Sequence, residues 1–291
     1  MADHTHHFHR PPPPSSYGIA SFPAPHVMLV VFTRPRALNA MTSAGQYELE
    51  ALFAWYDAEP SLRCAVVTGA GRAFCAGMDL KEWNARHLRR AAGDPDPKPM
   101  NPPSGFGALS RRHGKKPVIA AVNGLAFGGG MEILANLDLV VAAKGAIFAL
   151  SEVKRGVVPN AGSLPRLART FGRPRTMQLA LTGRSITAAE AKEWGLLNAV
   201  TDDNAEDCPV LDRPVVKAAL DYANAIASNS PDGIIIARAS IIAGWEDGSA
   251  ENASRLNCEK WDEALDNSAN MSEGLLAFVE KREPKWVDSK L

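Results

Sequence analysis

The chain has 291 residues, 46% of them hydrophobic, and its 32 lysines and arginines balance 32 aspartates and glutamates. That is enough apolar chain for a sizeable core, and a neutral chain without a basic block gives no electrostatic reason to expect nucleic acid or an anionic membrane as partner. Cys64, Cys75, Cys208 and Cys258 form no CxxC pair, which suits thiols in a reducing compartment better than a disulfide framework or a zinc site.

The start, "MADHTHHFHRPPPP", holds His4, His6, His7 and His9. A Pro-rich start has no core to fix a ligand geometry, so it is expected to be a disordered tail to about Ser16 rather than a metal site. The first twenty residues lack the apolar run of a signal peptide. The most apolar window, Val118 to Ala143, is interrupted by Asn123, Glu132, Asn136 and Asp138, so no membrane span is expected. His26–Phe32 is valine-rich and reads as a strand. In Ser43–Pro60 apolar residues recur at Leu49, Leu52, Phe53 and Tyr56, the spacing of an amphipathic helix, with Ser43 and Gln46 as its expected capping box.

Arg63–Gly69 reads as a buried strand followed by a loop, "AGRAFCAGMDLKEW". Asn84–Gly107, with five prolines, reads as a long loop, and its part 94–107 is expected to border a ligand pocket. Lys116–Gly124, Leu137–Ala143 and Ala146–Glu152 are further strand candidates. Ser185–Gly195 is a short helix with Thr187 and Glu190 as capping box and Gly195 at its C-terminal end. After Pro209 strand signals fade into four helical segments, with Ser230-Pro231 and Ser272 as N-terminal signals. No short repeat is legible. The fold class is α/β with an α-helical C-terminal region.

The glycine triplet Gly128–Gly130, followed by Met131 and Glu132, is the chemical signal. A phosphate-binding P-loop needs lysine and a hydroxyl where Met131-Glu132 stand, and a carboxylate there would repel phosphate. "TGAGRAFCAG" has Gly69 and Gly71 after a strand, but Phe74 takes the third glycine position of a dinucleotide site. If the triplet opens a helix, its free N–H groups converge on one spot, as an enolate oxygen requires. Glu132 would then lie on the same helical face as Gly129, placed to move protons near a carbonyl.

"NGLAFGGGMEILANLDLVVA", with "RAFCAGMDLKE" upstream and "ALSEVKRGVVPNAGSLPRL" downstream, resembles the crotonase superfamily of enoyl-CoA hydratases and isomerases. The resemblance implies a crotonase-type spiral of ββα units over residues 17–208, after the tail of residues 1–16. A helical region, 209–291, would assemble homotrimers, often paired into hexamers. It implies an acyl-CoA thioester substrate and no metal or other cofactor, coenzyme A being part of the substrate. The backbone N–H groups of Met78 and Gly129 would form the oxyanion hole. Arg36, Ala37, Leu38, Ala76, Asp79, Leu80 and Lys81 would meet the CoA moiety or the substrate.

In hydratases of this family two acids flank a water, here Glu132 and Glu152. Glu132 would activate the water and Glu152 would deliver the proton to Cα. Asn160 departs from the pattern, which has glycine in typical hydratases and aspartate in dienoyl-CoA isomerases, and it adds a polar side chain to the substrate pocket. The expected activity is hydration of a 2-enoyl-CoA, or the reverse dehydration. The alternative is a Δ3,Δ2-enoyl-CoA isomerase using Glu152 alone, and a non-catalytic binding subunit ranks last. The chain stops at Ser289-Lys290-Leu291, the peroxisomal import address, so a peroxisomal location and an import receptor as partner are expected.

Overall fold

The computed structural model describes residues 8–94, 96–205 and 208–291. The larger sheet has six strands in the order β1 (Gly18–Ala24), β2 (Val27–Phe32), β3 (Cys64–Gly69), β5 (Val118–Val122), β7 (Leu139–Ala143) and β10 (Ala199–Thr201). Only β1 runs antiparallel to its neighbour. The inner strands are continuous Val/Ala/Ile runs because both their faces are covered, as parallel strands require. Met28, Val30, Val67 and Ala120 face one core together with Leu49, Leu52 and Tyr56 of α1 (Ser43–Ala58). Val27, Leu29, Val66 and Ile119 face Val215, Val216 and Ala219 of α7 (Pro214–Ala227) on the other side.

A second sheet joins three-residue strands in the order β4 (Ala73–Cys75), β6 (Leu125–Phe127), β8 (Ile147–Ala149) and β9 (Ser185–Thr187). The chain passes three times from the large sheet to the small one and then into a helix. The turns are β3–β4–α2 (Leu80–Ala91), β5–β6–α3 (Gly129–Leu134), and β7–β8 followed by the 3-10 turn Glu152–Arg155 and α4 (Ser163–Phe171). This is the expected ββα spiral. Cys75 pairs with Ala126, and Phe127 with Ala149, so the ends of three successive short strands stack at one place. The remaining helices are α5 (Arg173–Thr182), α6 (Ala188–Glu193), α8 (Pro231–Glu246), α9 (Ala250–Asp266) and α10 (Ala269–Glu280). Among the described residues no helix is long and apolar enough to cross a membrane.

Several expectations are corrected. Residues 8–16 are not a free tail: Phe8 packs against Phe22 and Trp55, Trp55 donates to the Arg10 carbonyl at 2.9 Å, and Glu48 accepts from Ser15 and Ser16. Residues 1–7, with three of the tail's histidines, lie outside the described residues. Helix α1 is capped by Thr42, whose hydroxyl accepts from the Gly45 N–H, and the Ser43 N–H instead meets Glu82 Oε2 at 2.9 Å. The expected loop after β3 contains β4, and α2 occupies the first part of the expected loop 84–107. Helix α2 buries no residue, and its Leu80 and Leu88 stay exposed. The Asp79 cap and ion pairs from Arg86 and Arg89 to Asp96 at 2.9 and 2.7 Å hold it. Helix α10 is capped by Ser268 rather than Ser272. The Thr187–Glu190 capping box is present, and Gly195 has φ 91° just past α6.

Candidate active site

The stacked strand ends deliver one functional segment each. After β4 come Ala76, Gly77 and Met78, held by the neighbouring segment 38–41. The Ala76 N–H donates to Leu38 O, Met41 N–H to Gly77 O, and Asp79 N–H to Met41 O, each at 2.9 Å. Asn39, fully buried, anchors that segment by donating to the Ala70 and Ala73 carbonyls at 2.9 and 2.8 Å.

After β6 comes the triplet. Gly128 has φ +54°, a conformation that disfavours any side chain. A Cβ on Gly130 would lie 2.2 Å from the Cys75 carbonyl oxygen, so only glycine lets α3 start this close to β4. A Cβ on Gly77 would lie 3.1 Å from the Gly129 nitrogen, which places the Gly77–Met78 backbone beside the start of α3. Among the described residues neither the Met78 nor the Gly129 N–H donates to a protein acceptor. Two free donors thus stand side by side, the arrangement an oxyanion requires.

The two acids differ in surroundings. Glu132, in the first turn of α3, is buried. Its Oε1 accepts from the Ala161 N–H at 2.8 Å and the Ser163 hydroxyl at 3.0 Å. Burial raises its pKa above the usual carboxylate value, and those donors oppose the rise. Glu152 opens the 3-10 turn after β8. A Cβ on Gly128 would sit 3.2 Å from its Oε1, so this carboxyl lies over the triplet. Its Oε2 is buried without a hydrogen-bond partner. Burial pushes Glu152 up to about 7; its own N–H and Arg155 oppose the rise, and the charge of Glu132 reinforces it.

Both acids face one cavity of about 810 Å³, which the two N–H donors also border. Its wall contains every residue proposed from the sequence for catalysis or substrate contact: Arg36, Ala37, Leu38, Ala76, Met78, Asp79, Leu80, Lys81, Gly129, Glu132, Glu152 and Asn160. The carboxylate of Asp79 is committed to the fold, since it caps α2 and pairs with Arg34 at 2.9 Å. Arg36 and Lys81 are exposed at the wall, with no ion pair among the described residues. Ser289, Lys290 and Leu291 lie apart from the cavity, where the Lys115 ammonium donates to the Leu291 carbonyl. Among the described residues no three His, Cys, Asp or Glu side chains are grouped to hold a metal ion.

The family description enoyl-CoA hydratase/isomerase matches residues 24–289. The chain belongs to the enoyl-CoA hydratase/isomerase family. It is 48% identical over 288 residues to mevalonyl-coenzyme A hydratase of Beauveria bassiana, covering 98% of this chain and 99% of that one. It is 42% identical over 273 residues to the mevalonyl-coenzyme A hydratase of Aspergillus fumigatus, covering 94% and 96%. Among solved structures, an enoyl-CoA hydratase of Mycobacterium tuberculosis superposes with a TM-score of 0.80 at 29% identity, covering 94% of this chain and 99% of that one.

The site of this hydratase/isomerase-family enzyme also includes residues that the sequence did not single out. Trp83, Met100, Asn101 and Phe106 line the cavity, as expected of loop 94–107 for the latter three. Ala161 and Ser163 hold Glu132 across about thirty residues of chain. No local pattern announces such contacts. Only Asn160, eight residues beyond Glu152, marked the neighbourhood.

Proposed function

We propose that the protein interconverts a 3-hydroxyacyl-CoA and the 2-enoyl-CoA formed by loss of water, and that its acyl group has the mevalonyl skeleton. The observation that carries the first part is the pairing of two unlike carboxyls with two free N–H donors around one cavity. The second part draws on the two relatives named for mevalonyl-coenzyme A, which match over nearly their whole length.

In the hydration direction the thioester oxygen accepts from the Met78 and Gly129 N–H groups, which stabilise the enolate that forms as water adds. Glu132, its Oε1 already engaged, receives a proton from the water on its second oxygen. The water oxygen bonds to C3, and the C2–C3 π pair shifts into the enolate. Protonated Glu152 then delivers its proton to C2 as the enolate collapses. Dehydration runs the same path backwards, with Glu152 removing the C2 proton and Glu132 protonating the departing hydroxyl. No step calls for a metal or redox cofactor. A mevalonyl chain also carries a terminal hydroxyl, for which the Asn160 carboxamide at the cavity wall supplies a polar contact.

The test is the absorbance of the conjugated thioester with mevalonyl-CoA, crotonyl-CoA and a 3-enoyl-CoA. Mevalonyl-CoA is expected to have the highest kcat/KM, and Glu132→Gln and Glu152→Gln are each expected to lower kcat about 10²–10⁴-fold. Conversion of the 3-enoyl-CoA that survives Glu132→Gln would instead identify an isomerase. Turnover of none of the three would overturn the reading.

We further propose that the enzyme forms homotrimers or hexamers through its C-terminal helices, and that Ser289-Lys290-Leu291 directs it to peroxisomes. A fluorescent fusion ending in the native tripeptide should be punctate in cells and become diffuse when the tripeptide is deleted. An unchanged distribution would refute the address.

A further inference from the structure

We infer that Ser163 is a positioning residue for Glu132, holding one carboxylate oxygen so that the other stays aimed at the water or the departing hydroxyl. The inference rests on the hydration reading above and adds to it a residue outside the cavity wall.

Ser163 is fully buried at the first position of α4. A serine at a helix start ordinarily caps the helix, yet here the cap position is Gly162, with φ 108° and no side-chain cap. The Ser163 hydroxyl instead reaches 31 positions back to Glu132 Oε1 at 3.0 Å, the same oxygen that the Ala161 N–H meets at 2.8 Å. A hydroxyl has one proton to give, and donating it to a carboxylate favours the ionised form. Two donors on one oxygen also restrict rotation about the terminal torsion of the glutamate, which is otherwise broad. Without the hydroxyl, burial acts on Glu132 with less opposition, and backbone N–H donors alone hold the carboxylate in direction. The bland account of the same bond is a buried hydroxyl that merely satisfies itself and stabilises α4. The two accounts differ in whether the loss of Ser163 lowers turnover, and does so only while Glu132 is present.

The experiment compares Ser163→Ala, Ser163→Thr and the double variant Ser163→Ala/Glu132→Gln with the parent proteins, each checked for an unchanged melting curve. Ser163→Ala is expected to lower kcat about tenfold, the effect of one charge-assisted hydrogen bond, with KM changed less than about twofold. The acidic limb of its rate profile should move to higher pH. Ser163→Thr, which keeps the hydroxyl, should stay near the parent. In the Glu132→Gln background, adding Ser163→Ala should change kcat less than about twofold, because a residue acting only through Glu132 has nothing left to act on.

Carbon-13 glutamate NMR, with the Glu132 resonance assigned by its loss in Glu132→Gln, should show a raised titration midpoint in Ser163→Ala. An unmoved midpoint, or an equal loss of kcat in both backgrounds, overturns the inference. A moved midpoint in a protein that hydrates no 2-enoyl-CoA would overturn the hydration reading alone.

Discussion

Both carboxyls of the site are withdrawn from water, but only Glu132 is given strong donors in return. Glu152 keeps an oxygen buried and unpartnered, and burial lifts it from 4.5 to about 7. Its protonated form is therefore the one the fold favours. Below the ordinary carboxylate range Glu152 is protonated in both the folded and unfolded chain, and it costs nothing. As pH rises through about 7 the folded protein must carry a buried charge, so stability falls. Glu152→Gln removes that penalty. Its Tm is expected to exceed the parent's at about pH 8, by about 1–3 kcal/mol in stability after allowance for partial exposure, and to match it at about pH 4. Equal melting temperatures across that range would show that Glu152 is not strained by its charge. Glu132 was legible from the glycine triplet it follows, and Glu152 through the family resemblance. Ser163 was not legible, because a hydroxyl contact spanning 31 residues leaves no local mark.

At the scale of elements, a three-residue strand has too few positions to show a period, so β4 and β6 could not be read, and β8 was legible only within the longer apolar run Ala146–Glu152. Yet those strands fix the site: their paired registers bring Met78, the glycine triplet and Glu152 together. The long buried strands β2, β3, β5 and β7 were legible as continuous apolar runs, and so was α6 through its capping box. At Gly130 two turns of the spiral come too close for a side chain. Gly130→Ala puts a methyl group 2.2 Å from the Cys75 carbonyl, where backbone must move. A loss of about 1–3 kcal/mol is expected in denaturant unfolding, together with at least about a tenfold fall in kcat as the Met78 and Gly129 donors separate. Gly248→Ala, with nothing within 4 Å of the added Cβ, should stay within about 0.5 kcal/mol. Equal effects at the two positions would sink the account of the triplet as a packing requirement.

Across the whole molecule, the ends of the chain are where sequence reading had least to work with. Phe8 is one aromatic residue in a polar, Pro-rich stretch, and its place becomes intelligible only when Phe22 and Trp55 are seen to close around it. The four C-terminal helices were legible, but not which of their faces would lie open. On α10, Leu275, Leu276, Phe278 and Val279 are 61%, 50%, 85% and 76% exposed. Adjacent large apolar side chains facing water on one helix are typical of a surface that another protein covers. Another copy of this chain is the cover that the trimer proposal supplies. Light scattering should then give a mass three or six times the 31.2 kDa of the chain. The double variant Phe278→Glu/Val279→Glu should shift it toward one chain while the far-ultraviolet dichroism stays unchanged. A parent protein that runs at one chain mass would leave that face of α10 without the partner proposed for it.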